Sequence, residues 1–482
     1  MRIRLSLVLL CMFFLLTEVY ADQSGVYKEN RSVSVNGAKK SIVIVWADLK
    51  DKRIRVDSVL AGGKVGTVGY IADMVKSATD TDGIAVAGIN GTYLKAYSDQ
   101  QPIGTIIQDG NVRHVGNIGS VVAFDENGAR VEPLYVSIKG GIDGKWEFPD
   151  IWYPWNINHY YEGGSIDMLF DSFYAGPKPV HDFTAIEIDR GVVTKVSKGT
   201  FNIPAGGFLI LTRFPETIAK FPVGQKADYM FKFYENDYSN VPSVKKPWDY
   251  SGVRTAIGAG PTLVQDGKIV LDAAKEGFTE AKIVTNAAQR SLVGVTEDGK
   301  LGIACIGGVT MSQLAEIAVQ LGMKDAMNLD GGASSALYYK GAYIKEPGRK
   351  VSNALVIRQL YNDPINVQLN GRPLFFDTEP FIDKASGATL VPLRGIAEAL
   401  GAVVGWDDVS SSVTILYNGK QIMLKPDSKT VYTDGAASEM KAPAVQHQSR
   451  LYVPVRTITE LFGGNVSWDG EKSMVILQLG DK

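Results

Sequence analysis

The chain has 482 residues, 50 Lys+Arg against 52 Asp+Glu, and a formal net charge of −2. Charged residues are 21% and hydrophobic residues 45%, which excludes wholesale disorder, a collagen-like repeat and a strongly basic nucleic-acid binder. The length suits two or three domains of ~150 residues, and 51 glycines predict many tight turns, hence a β-rich fold or a backbone-lined site.

The first element is a targeting segment. Arg2 and Arg4 precede an apolar run from Leu5 to Leu16, and Val19-Tyr20-Ala21 sets up a cut after Ala21. This predicts a secretory signal peptide over 1–21, too short to remain as a membrane helix. Cys11 lies in mid-run after Leu10, where lipidation would need a small residue. No other run of ~18 apolar residues follows, so no stable membrane span is expected. Loss of Cys11 leaves Cys305, which sits in the apolar run Leu301–Ile306 and reads as a buried strand residue with no disulfide partner.

A large domain, 22–360, comes next. Gly69–Ala78 is a plausible helix. Val86 to Tyr93 is a strand end in which Asn90 and Thr92 could orient a sugar hydroxyl or phosphate oxygen, although Asn-Gly alone is usually a turn. Gly104–Val112 and Gly260–Ile269 echo one another: each is a β-run, an Asp-Gly turn and a returning β-run. Asp109, Asp266 and Asp298 are therefore read as turn-formers. Trp146–Tyr161 is aromatic-rich and reads equally as a substrate-stacking loop or as packed irregular structure. Arg254 and Arg290 each open a β-run, and each would suit either a phosphate or a structural carboxylate. From Thr310 to Leu321 the spacing predicts a helix, with Thr310 as cap, Gln313 completing a capping box and Gly322 past the end.

The stretch after that helix is the most informative. A short apolar strand through Asn328-Leu329 ends in Asp330-Gly331-Gly332-Ala333-Ser334. A carboxylate at a strand end beside bare backbone can meet a ligand closely, with Gly331 and Gly332 as anion donors and Ser334 as a hydroxyl donor. The competing reading is an Asp-Gly-Gly turn with a capping serine.

The last segment, 363–482, repeats internally. Leu390-Val391-Pro392-Leu393-Arg394 recurs as Tyr452-Val453-Pro454-Val455-Arg456, an offset of 62 (392 to 454), and Trp406-Asp407 recurs as Trp468-Asp469. Each copy reads as strand, turn, short helix and strand, with the Arg engaged structurally and the Trp buried. This segment resembles the copper amine oxidase N-terminal domain family. The likeness implies a spacer or cell-wall contact and nothing about copper, since His447 is the segment's one histidine and it has no cysteine.

The large domain resembles the phosphodiester glycosidase family. The resembling pieces are Gly88-Ile89-Asn90-Gly91-Thr92-Tyr93, Pro102-Ile103-Gly104, Gly260-Pro261-Thr262-Leu263, Arg290-Ser291-Leu292-Val293-Gly294, Gly308 to Ala315, Asn328-Leu329-Asp330-Gly331-Gly332 and Val351-Ser352-Asn353-Ala354-Leu355. Ala333 and Ser291 depart from it, standing where the family usually has Gly and Thr. The resemblance implies an exported hydrolase that cuts the glycosidic bond of a sugar-1-phosphodiester. Asp330 would be base or nucleophile and Arg290 would bind phosphate, with Arg254 as a further candidate. Asn90, Thr92 and Asn328 would orient sugar or phosphate, and Gly331, Gly332 and Ser334 would donate to the anion. No cofactor is implied, and a divalent-metal requirement is left open. The partners expected are a carbohydrate phosphodiester and, through the last segment, a wall polymer. The rival reading is an exported protein that binds wall polymer, or is structural, without cutting. The fold expected is α+β: a β-rich large domain with flanking helices, plus a small C-terminal α+β domain of two repeats.

Overall fold

The structure is a computed structural model, and it describes residues 25–163, 166–178, 182–238 and 245–479. The expected signal peptide and His181 lie outside those residues. Among the described residues no helix is long and apolar enough to cross a membrane.

Strands dominate. A seven-stranded antiparallel sheet runs in the order Val26–Val35, Ala38–Asp48, Lys300–Val309, Ala288–Thr296, Met323–Leu329, Thr262–Gln265, Lys268–Ile269. A five-stranded antiparallel sheet runs Ala342–Lys345, Leu337–Tyr339, Gly83–Asn90, Asn353–Leu360, Ile54–Leu60. The two share one apolar core, with Val293, Ile303, Met327 and Leu329 from the first meeting Ala87, Ile89, Leu355 and Ile357 from the second. Helices cover the outer faces. Met311–Gln320 packs Leu314, Ile317 and Ala318 on the seven-stranded sheet, and Ile71–Ser77 packs Ile71, Met74 and Val75 on the other. The longer helix begins with the expected capping box: Gln313 N–H donates to Thr310 Oγ1 (3.2 Å) and Thr310 N–H donates to Gln313 Oε1 (2.9 Å).

The Asp-Gly turns close hairpins as their sequence requires. Asp109 and Gly110, and Asp266 and Gly267, all have positive φ, the geometry that a two-residue turn of right-handed twist needs. A further five-stranded sheet, Asn111–His114, Ile106–Gln108, Thr255–Ala259, Ser120–Asp125, Gly128–Glu132, adds Ile257 and Ala259 to the shared core. The aromatic segment forms two short strands, Ile151–Trp152 and Asn156–Ile157. Trp152 is buried against Phe208 and Phe221, whereas Tyr153, Trp155 and Tyr161 are exposed.

The residues from Asn366 to Gln478 have a core of their own, built on Val391, Ile396, Ile415, Val453, Ile458 and Val475. Strands Ala388–Pro392 and Arg450–Pro454 pair antiparallel, and each leads into a seven-residue helix, Leu393–Ala399 and Val455–Leu461. Two expectations fail here. Trp406 and Trp468 are 47% and 48% exposed rather than buried, and Arg394 and Arg456 point to solvent. Both tryptophans lie on short, largely solvent-facing strands, opposite Val413 and Val475 in the antiparallel register.

Candidate active site

The two large sheets bring strand ends together. Asp330 follows Met323–Leu329, and its N–H donates to the Gly91 carbonyl (3.1 Å), just past the end of Gly83–Asn90. Gly91 has no room for a side chain, since a Cβ there would lie 1.9 Å from Asn353 Oδ1. That oxygen accepts from Thr92 N–H (3.1 Å). Asn90 is fully buried at the centre. Its Nδ2 donates to the Asp330 backbone carbonyl (2.7 Å), and its Oδ1 accepts from the Ser291 hydroxyl (2.8 Å) and Ala336 N–H (3.0 Å). Ser291 Oγ also stands 3.0 Å from Ser335 Oγ. Asn90 thus orients the turn that presents Asp330, and serine supplies the one hydroxyl needed at position 291.

The Asp330 carboxyl is pushed up to about 7 by burial, against hydrogen bonds from the Ser334 hydroxyl and Gly331 N–H and the charges of Arg349 and Lys282. A carboxyl with that value can give or take a proton near neutrality. Gly332 takes φ +63° and opens the short turn Gly332–Ser334 that brings Ser334 back to Asp330. The donors expected for a substrate anion, Gly331 N–H and Ser334, are therefore spent on Asp330 itself. Gly332 supplies the turn. Ala333 turns its methyl toward Gly348, where an added Cβ would lie 3.1 Å from Ala333 Cβ.

Arg290 is 2% exposed and lies beside this turn: a Cβ on Gly331 would be 4.0 Å from its Nη1. Its Nη2 donates to the Asn286 carbonyl (2.6 Å) and its Nε to that of Val309 (3.3 Å). Asn328 Nδ2 donates to the Gly260 carbonyl (2.9 Å) and to Tyr93 Oη (2.8 Å), while Tyr93 Oη–H donates to the same carbonyl (2.8 Å). Asn328 Oδ1 is buried without a hydrogen-bond partner. Burial and then the Asp330 charge hold the Tyr93 phenol well above its usual range. Thr92 Oγ1 accepts from Gly104 N–H (2.8 Å), so Thr92 pins a loop.

Arg254 is elsewhere. It opens the strand Thr255–Ala259 that ends near Tyr93 at Gly260, six residues or ~20 Å away at strand rise. Its Nη2 donates to Asp109 (2.6 Å) and to the Phe376 carbonyl (2.9 Å). There it lines a cavity of about 480 Å³ with Asp57, Gln108, Arg358 and Asp377. The structural carboxylate, one of the two options for this arginine, is the one realised. Cys305 is half-buried, and burial pushes its thiol up to about 12, which leaves it unreactive.

Four contributors escaped the sequence reading: Tyr93, Asn353, Arg349 and Glu276. Tyr93 and Asn353 sat inside quoted motifs without a role. Arg349 precedes the Val351-Ser352-Asn353 motif and is recognisable only as part of a basic pair with Lys350. Glu276 is a second buried carboxylate near Tyr93, but Thr262 N–H donates to its two oxygens (2.9 and 3.1 Å). Among the described residues no three His, Cys, Asp or Glu side chains converge as a metal site.

With this geometry in view, residues 183–358 match the phosphodiester glycosidase family. The matched span contains Asp330, Arg290 and Asn328, while Asn90 and Thr92 precede it. Residues 368–477 match the copper amine oxidase N-terminal domain family. Over 83 residues, 17% of this chain, the sequence is 29% identical to a primary amine oxidase of Klebsiella aerogenes, of which it spans 11%. A hypothetical protein from Synechocystis superposes with TM-score 0.58 and 20% identity, over 70% of this chain and 62% of that one. A protein of Burkholderia pseudomallei K96243 superposes with TM-score 0.53 and 17% identity, over 66% of this chain and 74% of that one. These two likenesses concern the fold.

Proposed function

We propose that this chain is an exported hydrolase that cleaves the glycosidic bond of a sugar-1-phosphodiester. The observation that carries the reading is Asp330: a carboxyl poised near neutrality, at converging strand ends, with Arg290 beside the Gly331 that follows it and Arg349 and Lys282 acting on it by charge. The phosphodiester glycosidase match over 183–358 supports a glycosidase-type reaction.

A phosphate monoester leaves readily as an anion, so strong protonation of the leaving group is less needed than in ordinary glycoside hydrolysis. Ionised Asp330 acts as base on water or as nucleophile on the anomeric carbon. Arg290 and Arg349 meet the phosphate, and Asn90 and Asn328 hold the frame. Export rests on the signal pattern of 1–21, and the wall-contact role of 363–482 on what its resemblance implies. That segment is read as two copies of one unit, supported by its matched strand–helix pairs. The test is turnover of a small panel of sugar-1-phosphodiesters by the full chain and by Asp330→Asn. Cleavage that the substitution abolishes supports the reading, and equal turnover by both proteins overturns Asp330.

A further inference from the structure

Beside the candidate site the surface is aromatic. Tyr97 is 89% exposed, Trp155 50% and Tyr161 45%. Large exposed rings near a site mark a candidate binding surface. Trp155 and Tyr161 have ring centroids 5.9 Å apart, and Lys95 Nζ lies 5.8 Å from the Tyr161 centroid. Tyr97 sits in the tight turn closed by Ser98 N–H to the Lys95 carbonyl (3.0 Å). The Arg349 guanidinium lies over the Tyr97 ring (4.9 Å), and its Nη2 donates to Tyr97 Oη (2.9 Å). Arg349 in turn acts on Asp330. The surface is therefore continuous with the site through one loop, from Tyr93 to Pro102.

That loop is built to stay in place. Gln101 is fully buried; its Nε2 donates to the Tyr160 carbonyl (2.8 Å) and its Oε1 accepts from Tyr160 N–H (2.7 Å). The ring-bearing segment and the site loop are thus clamped together, with the rings left outside the clamp.

The chemistry selects the occupant. The rings are Trp and Tyr, which offer an apolar face with a polar tip. A pyranose has the complementary form, with a face of C–H bonds and a rim of hydroxyls. Lys95 is offset by Asp99 (3.8 Å), so its charge beside Tyr161 is balanced, and the Arg349 guanidinium is engaged on the Tyr97 ring and hydroxyl. We infer that Tyr97, Trp155 and Tyr161 form a glycan subsite that holds uncharged pyranose units adjoining the bond cut at Asp330. The substrate class is then a saccharide chain with a phosphodiester link, larger than a single sugar phosphodiester. This deepens the function proposed above and rests on it for the direction of the chain, but glycan binding is measurable without turnover.

The experiment is calorimetric titration of the full-length Asp330→Asn protein with two uncharged probes, cellohexaose and the hexamer of N-acetylglucosamine. Saturable binding is expected to at least one of them. Trp155→Ala and Tyr161→Ala should each weaken it roughly 3–10-fold, the scale of one aromatic contact, and Trp155→Phe should restore most of the loss. Circular dichroism confirms that each variant is folded. Absence of saturable binding to both hexamers overturns the subsite, as does binding that the ring substitutions do not change. Sedimentation gives a further check: if Trp155→Ala dissociates a dimer, the face joins copies of the chain and the inference fails. Loss of turnover on every phosphodiester with hexamer binding intact would instead sink the catalytic reading alone.

Discussion

Two half-buried carboxylates, Asp330 and Asp109, lie beyond opposite ends of the strand Thr255–Ala259, and they are held differently. Burial pushes both upward. Asp109 is opposed first by Arg254, in contact at 2.6 Å, inside a network with Asp57 and Arg358. Asp330 is opposed first by hydrogen bonds from Ser334 and Gly331, and among the described residues no ion pair closes on it. A contacting guanidinium commits a charge to the fold. Hydrogen bonds without such a contact leave a carboxyl able to titrate near 7 and to meet a reactant. The sequence shows an aspartate and an arginine at each place, and only the pairing tells them apart.

The sharpest break of that comparison is Asp330→Asn. Turnover should fall ~10²-fold or more, the scale of lost acid–base assistance, while binding of a sugar-1-phosphate survives because Arg290 and Arg349 remain. In the wild type kcat/KM should rise with pH through about 7, as Asp330 ionises. Stability should move the other way. The folded value of about 7 lies above the usual 3.8, so the stability Asp330 contributes is complete below pH 3.8 and is lost as pH rises to 7. The asparagine variant lacks that loss. It should overtake the wild type across this window, by on the order of 1–3 kcal/mol in denaturant titrations.

Arg254→Met should show the opposite profile. It strands Asp109 in a partly enclosed site and should cost about 2–3 kcal/mol, the lower side of the range for breaking a buried pair because both partners keep some solvent contact. Steady-state kinetics on the folded variant should show KM within about twofold of wild type. A large rise in KM would return Arg254 to the substrate.

A buried histidine pair titrates in the same pH range with opposite sign. His114 Nε2 and His159 Nδ1 are 2.9 Å apart and buried. Burial pushes His114 down to about 3 and His159 to about 4. Their stabilisation is complete above the usual 6.5 and drains as pH falls toward those values, by about 1 kcal/mol per pH unit for each ring. His159→Asn should flatten the acid limb of the stability profile and leave the neutral rise in kcat/KM untouched.

Local physics made some of this legible. Asp-Gly between β-runs fixes a hairpin through two positive φ angles, and Thr310 with Gln313 fixes a helix start, because the partners lie within four residues. Asp330 stood out since a carboxylate, two glycines and a serine follow an apolar strand. Arg254 and Arg290 looked alike because each opens a β-run, and their partners lie far away in sequence. Trp406 and Trp468 read as core from residue type alone, whereas exposure is set by which strand face the fold leaves open. Arg349 reaches the site from a loop without periodicity, so nothing local announced it.

The smallest expected effect concerns Ala333, where a family-like chain would carry glycine. If its methyl crowded the ligand, Ala333→Gly would raise turnover. Instead the Ala333 carbonyl accepts from Gly348 N–H (2.7 Å), and the methyl lies against the Gly348 backbone. The contact seats the loop that carries Arg349. Removing the methyl frees the unfolded chain and loosens that seat, at a cost of about 0.5–1 kcal/mol. Asp330 and Arg290 stay in place, so kcat should hold, with any change confined to KM through Arg349. A several-fold gain in kcat would show instead that the methyl faces the reacting atoms and that the turn carrying Ser334 is misplaced.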